Sequence, residues 1–79
     1  MIIKVLGPGC HNCHTLEKNV RAALAGLGIE APIESVTDYG EIAGYGVLRT
    51  PGLVVDEEVV VSGRVPKPDE IAGLLSSRA

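Results

Sequence analysis

Ile2, Ile3, Val5 and Leu6 form a nearly continuous aliphatic run, the pattern of a strand covered on both faces. Gly7-Pro8-Gly9 ends it, because Pro8 has no amide hydrogen for a ladder bond and the glycines allow a sharp change of direction. The apolar period then changes from 2 to 3.6. Leu16, Val20, Ala23, Leu24 and Leu27 fall on one stripe while Glu17, Lys18 and Arg21 fall outside it, which predicts an amphipathic helix closing near Gly26 or Gly28. Glu30 to Val36 alternates in polarity and reads as a second strand, with Pro32 at its start or on a sheet edge. Strand, helix and strand of these lengths imply a parallel pair joined by a right-handed crossover. Asp38 is placed to cap a short helix running through Ile42 and Tyr45, weakened by Gly40 and Gly44. Gly52 to Val55 and Val59 to Ser62, separated by Asp56-Glu57-Glu58, read as an antiparallel hairpin. Pro68-Asp69-Glu70 followed by Ile71, Ala72, Leu74 and Leu75 starts a last helix, leaving Ser76 to Ala79 as a loose tail. The expected class is α/β, in the order β-α-β-α-β-β-α, with a four-stranded mixed sheet and helices on both faces.

Composition narrows this. A length of 79 residues fits one domain, spanning 1–79. With no Phe, no Trp and only Tyr39 and Tyr45 for large rings, the core has to be aliphatic. Seven basic against ten acidic residues give a net charge of −3, and the basic residues are scattered singly, so the phosphate-neutralising stripe of a nucleic-acid binder is missing. No stretch approaches the ~20 apolar residues a bilayer needs, and Met1 to Leu6 lacks a basic region ahead of it. These features lead to the expectation of a cytoplasmic monomer that binds neither nucleic acid nor membrane.

Cys10 and Cys13 are the only cysteines. As a staple this spacing is weak, since closing a four-residue loop stabilises by roughly 2 kcal/mol where a bridge across ~70 residues would give more than 4. Redox or metal chemistry is the natural role of a C-x-x-C in a reducing compartment. The pair sits where the first strand gives way to the first helix, and a helix N-terminus offers free N–H groups and about half a positive charge, both of which favour a thiolate. An unperturbed thiol is only ~3% ionised at pH 7, so that help matters to reactivity. Cys10 is the expected nucleophile, and Cys13, one turn further on, the thiol that resolves a mixed disulfide. His11 and His14 flank the motif and are candidate modulators of the thiol pKa, His14 more so because i and i+4 place it on the side of Cys10.

The order of elements, with C-x-x-C opening the first helix and Thr50-Pro51 directly before the third strand, resembles the thioredoxin superfamily. More closely, Val5-Leu6-Gly7-Pro8-Gly9-Cys10, Val36-Thr37-Asp38, Thr50-Pro51 and Ser62-Gly63-Arg64-Val65-Pro66 resemble the small redox-active disulfide proteins, a minimal thioredoxin-like family of bacteria and archaea. The resemblance covers Ile2 to Leu75. It implies a thiol-disulfide oxidoreductase of the protein-disulfide reductase type, with Cys10 and Cys13 catalytic and no cofactor. It also implies a cis peptide between Thr50 and Pro51 beside the disulfide, orienting an extended substrate. Implied partners are protein disulfides and a thiol reductase as electron donor. The pattern is departed from in places: Gly9 replaces the tryptophan that thioredoxins carry before the first cysteine, and His11-Asn12 replace Gly-Pro between the pair. The strand before the site holds only Lys4 where thioredoxins keep a buried acid. Thr50 and a lone Gly63 also differ from the glutathione-holding segments of glutaredoxins.

The rival reading is a soft-metal protein in which Cys10, Cys13 and His14, at i, i+3 and i+4, converge on Cu(I) or Zn(II). Against it, heavy-metal-associated domains end on a strand, whereas Pro68 to Leu75 is helical by capping and by period. Cys10-His11-Asn12-Cys13-His14 also fits the c-type haem attachment string, but that chemistry belongs to exported proteins and only Met1 offers a thioether. An interaction module with an incidental C-x-x-C completes the alternatives. The surface around Gly9, Gly52 and Gly63 is a candidate docking face.

Overall fold

The two interior strands carry the aliphatic runs. A computed structural model describes residues 1–9 and 11–77 and orders them as β1 (Ile3–Leu6), α1 (His11–Leu27), β2 (Ile33–Val36), α2 (Tyr39–Gly44), β3 (Gly52–Val55), β4 (Glu58–Ser62) and α3 (Pro68–Ser76). The sheet order is β2-β1-β3-β4, with β2 parallel to β1 and the other neighbours antiparallel. This is the expected mixed α/β architecture. β3 is buried at all four positions because helices cover both faces, while β2, at an edge, exposes Glu34 and Ser35. Pro32 stands just outside β2, where its missing amide hydrogen costs no ladder bond.

One face of the sheet packs on α1 and α3. Ile3, Val5, Leu53, Val55 and Val61 meet Leu16, Val20, Ala23 and Leu24 of α1 and Ile71 and Leu75 of α3. The other face is covered by α2 and the segment after it, where Leu6, Val36 and Val54 meet Ile42 and Val47. Both clusters are aliphatic; Tyr39 is exposed and Tyr45 only borders the second. Asp38 does cap α2, accepting the Glu41 amide at 3.1 Å. α1 stops at Gly28, whose φ of +69° suits glycine at a helix end.

The hairpin, its register and the end of the last helix differ from the pattern along the chain. Glu58 belongs to β4 and pairs with Val55, so the hairpin loop is two residues, Asp56 and Glu57, with φ of 50° and 67°. Left-handed φ at both central positions is the twist that matches a two-residue hairpin, normally signalled by Asn-Gly or Asp-Gly. Here side-chain contacts offset the unfavourable backbone: Asp56 Oδ1 accepts the Ile2 amide at 2.9 Å, and Lys4 Nζ holds Glu57 Oε1 at 2.7 Å. The ladder also slips by one residue. Leu53 pairs with Val61 and Val54 with Val59, leaving Val60 as the extra residue of a bulge in β4. Ser76 completes α3 and Ser77 caps it, with Ser77 Oγ donating to the Leu74 carbonyl at 3.0 Å, so these two are not a loose tail; Arg78 and Ala79 lie outside the described residues.

Leu16 is fully buried between the sheet and α3, and its removal leaves a cavity that rigid neighbours fill only in part. Leu16→Ala is expected to lower the unfolding free energy by about 2–5 kcal/mol. Asp38→Ala, which orphans one helix amide at an exposed site, is expected to cost about 0.5–2 kcal/mol. Urea titration at constant m-value checks both, and the ranking Leu16 above Asp38 is the required result.

Candidate active site

At the carboxyl end of β1 the ladder to β2 continues for one more bond, from the Gly7 amide to the Val36 carbonyl at 2.9 Å. Gly7 is buried, and a methyl group built on it would overlap the Sγ of Cys13 and stand 3.2 Å from its Cβ and 3.8 Å from the Cβ of Thr50. Glycine is therefore required by close approach: the Cys13 side chain fills the space a side chain on Gly7 would take. The chain reverses after it with help from Gly9, at φ +85°. Cys13 lies in the first turn of α1, 5% exposed, and is disulfide-bonded. The remaining cysteine of the sequence, Cys10, lies outside the described residues.

Thr50 is half-buried, Pro51 is buried, and the peptide between them is cis. The Pro51 carbonyl accepts the Gly63 amide at 2.9 Å, which ties the segment before β3 to the one after β4. Gly7, Cys13 and Thr50 thus meet at one point, with Pro51 and Gly63 beside it. Gly9 and Gly63 are exposed around that point, but Gly52 is not part of any docking face. It is buried, with the Val47 methyls 3.3 and 3.5 Å and Leu6 3.5 Å from where its side chain would begin. His11 and His14 are both exposed on the first turn of α1, where the His11 carbonyl accepts the Thr15 hydroxyl at 3.0 Å. Of the Cys10, Cys13 and His14 metal set, Cys13 has its sulfur engaged in a disulfide, and no group of three His, Cys, Asp or Glu among the described residues is placed to hold an ion.

A family model for the thioredoxin domain matches residues 1–76. The chain is 43% identical over 76 residues to the thioredoxin of Methanothermobacter thermautotrophicus, covering 96% of this chain and 99% of that one. It is 40% identical over 77 residues to the thioredoxin of Methanocaldococcus jannaschii, covering 98% and 88% respectively. The chain belongs to the thioredoxin family. Membership carries the thioredoxin-like fold and, in general terms, a thiol-disulfide oxidoreductase role. No helix among the described residues is long and apolar enough to cross a membrane.

This thioredoxin family member also holds a polar cluster that the strand pattern only hinted at. Lys4, the one charged residue of β1, lies opposite Glu34 and Val54 on the face covered by α2. Its Nζ donates to the Tyr45 hydroxyl and to Glu57 Oε1, each at 2.7 Å, and the Tyr45 hydroxyl donates to Glu57 Oε2 at 3.0 Å. The three close a ring of hydrogen bonds linking β1, the end of α2 and the β3–β4 turn. The Glu57 carboxylate, and secondarily the Tyr45 hydroxyl, hold the Lys4 ammonium well above its usual range; the Lys4 bond, then the Tyr45 bond, pulls the Glu57 carboxyl below its own. Together with Glu34, Val36, Glu41 and Gly44 they line an open hollow of about 480 Å³. The available signal was a lysine inside an otherwise aliphatic strand; its partners, 41 and 53 residues away, left none.

Gly7→Ala is expected to destabilise the oxidised protein by about 1–3 kcal/mol, the range for forcing a methyl into a packed site, with urea unfolding as the check. The Lys4–Glu57 pair has a pH signature of known sign. A depressed carboxyl contributes stability above its unfolded pKa of ~4.3 and loses it as pH falls through the lower folded value; a raised ammonium contributes below ~10.4 and loses it as pH rises through the higher one. The stability difference between the natural chain and Glu57→Gln should therefore be flat from about pH 5 to 9 and shrink on further acidification. Thermal unfolding across pH measures it.

Proposed function

We propose that this chain reduces protein disulfides by dithiol exchange through Cys10 and Cys13, acting as a single-domain cytoplasmic monomer without a cofactor. One observation carries the reading: in a thioredoxin family fold, Cys13 is disulfide-bonded and buried against Gly7, with Thr50 at the same point. Cys10 is the only other cysteine in the sequence.

In the reduced protein, the Cys10 thiolate attacks one sulfur of a substrate disulfide. The substrate S–S bond breaks, a mixed disulfide forms, and the departing substrate sulfur takes up a proton. Cys13 then gives up its proton and attacks the Cys10 sulfur. The mixed disulfide breaks, the Cys10–Cys13 bond forms, and the second substrate sulfur leaves and is protonated. Two electrons and two protons pass to the substrate, and a thiol reductase supplies the pair that resets the protein.

The roles divide by position. α1 begins at His11, and its 17 residues aim a helix N-terminus at the motif, favouring the attacking thiolate. Cys13, packed into the base of the site and 5% exposed, is the resolving thiol, since burial keeps an incoming protein from reaching its sulfur first. Thr50, which stands beside the point the Cys13 side chain fills, and Pro51, joined to it by the cis peptide, orient the substrate. His11 and His14, both exposed, tune the thiol pKa from the rim.

Trapping tests the assignment. Cys13→Ser should accumulate substrate proteins covalently on Cys10, released by reductant, whereas Cys10→Ser should hold few. Equal trapping by both variants overturns the roles, and the absence of trapping by either overturns the exchange reaction.

A further inference from the structure

Arg49 immediately precedes Thr50 and is exposed, and it makes no hydrogen bond or ion pair with any described residue. Lys4, Arg21 and Arg64, by contrast, are held by Glu57, Glu17 and Glu70. The stem of Arg49 is nonetheless fixed. Its Cβ, Cγ and Cδ lie 3.1, 3.9 and 3.5 Å from the point where a side chain on Gly63 would begin, so they occupy the space that this glycine leaves open. Gly63 is itself bonded to the Pro51 carbonyl. The stem that carries this guanidinium is thereby anchored over Gly63, one residue before Thr50 and next to Leu48, which is 94% exposed.

The chain as a whole has the opposite sign. The chain carries a net charge of −3, and Glu34, Glu41 and Glu57 gather around one hollow on the α2 face. An acidic segment is repelled by the molecule at large and attracted at the rim by Arg49.

We propose that Arg49 is a specificity-determining residue that selects disulfide substrates bearing a carboxylate side chain close to the attacked cysteine, while Leu48 supplies an apolar contact. This rests on the thiol-disulfide reading above. Charge at the rim of a contact acts on encounter and register rather than on the chemical step, so the effect falls on the rate of mixed-disulfide formation.

The test uses the full reduced chain and two disulfide-linked peptides that differ only in carrying Asp or Lys beside the cysteine. Each rate is divided by that of dithiothreitol with the same peptide, which cancels the intrinsic reactivity of the disulfide. The acidic peptide should react about threefold faster, the size an exposed ion pair supports. Arg49→Glu should invert the preference, Arg49→Lys should keep its sign, and added salt should erode it. Because the readout is a ratio within one protein, partial loss of active material drops out. A ratio of one, a preference for the basic peptide, or a preference unchanged in Arg49→Glu overturns the inference while leaving disulfide exchange intact. Failure to react with either peptide and with hydroxyethyl disulfide overturns the exchange reading and this inference together.

Discussion

The contact between the Cys13 side chain and the backbone at Gly7 is the constraint on which the rest of the molecule depends. Cys13, Leu16, Val20, Ala23 and Leu24 are the buried residues of α1, a single stripe whose first member is the sulfur itself. The disulfide-bonded side chain is therefore an extension of core packing. Where Leu16 and Val20 lock α1 against Ile3 and Val5, the same rigid-body fit sets the sulfur against the end of β1. Close-packed interiors tolerate little displacement, so a site built this way inherits the precision of the core beneath it.

A chain this short, without Phe or Trp, reaches that precision by covering both faces of two interior strands. The second face matters as much as the first. Val47 packs on Gly52 and Leu6, which places the segment leading to Thr50 and Pro51. Further along the same face, the ring formed by Lys4, Tyr45 and Glu57 ties a two-residue turn of unfavourable backbone conformation to the central strand. It is a device of fold geometry. The ion pair is largely solvent-facing on the Glu57 side, and exposed pairs contribute little by themselves.

The elements were legible wherever a local rule had no competitor. The change from a two-residue to a 3.6-residue period located β1 and α1, Asp38 announced α2, and Pro68 with two acids announced α3. The hairpin loop was read one residue too long because Asp56-Glu57 lacks the glycine that ordinarily marks left-handed turns, and the contacts that hold it come from Ile2 and Lys4, more than 50 residues away. Gly52 was read as a surface residue for a similar reason. Nothing in its neighbours along the chain tells that Val47 closes over it.

What the chain determined by itself was the set of elements, the aliphatic nature of the core, and the presence of two cysteines at a strand-to-helix junction. These follow from periodicity, capping and composition, which act between residues a few positions apart. Only the tertiary structure decided that Gly7 must be bare to admit the Cys13 side chain, that Thr50 stands at the same point, and that the stem of Arg49 lies over Gly63. Those are contacts between segments brought together by burial of distant apolar faces, and the identity of a glycine says nothing about which side chain fills the space it leaves.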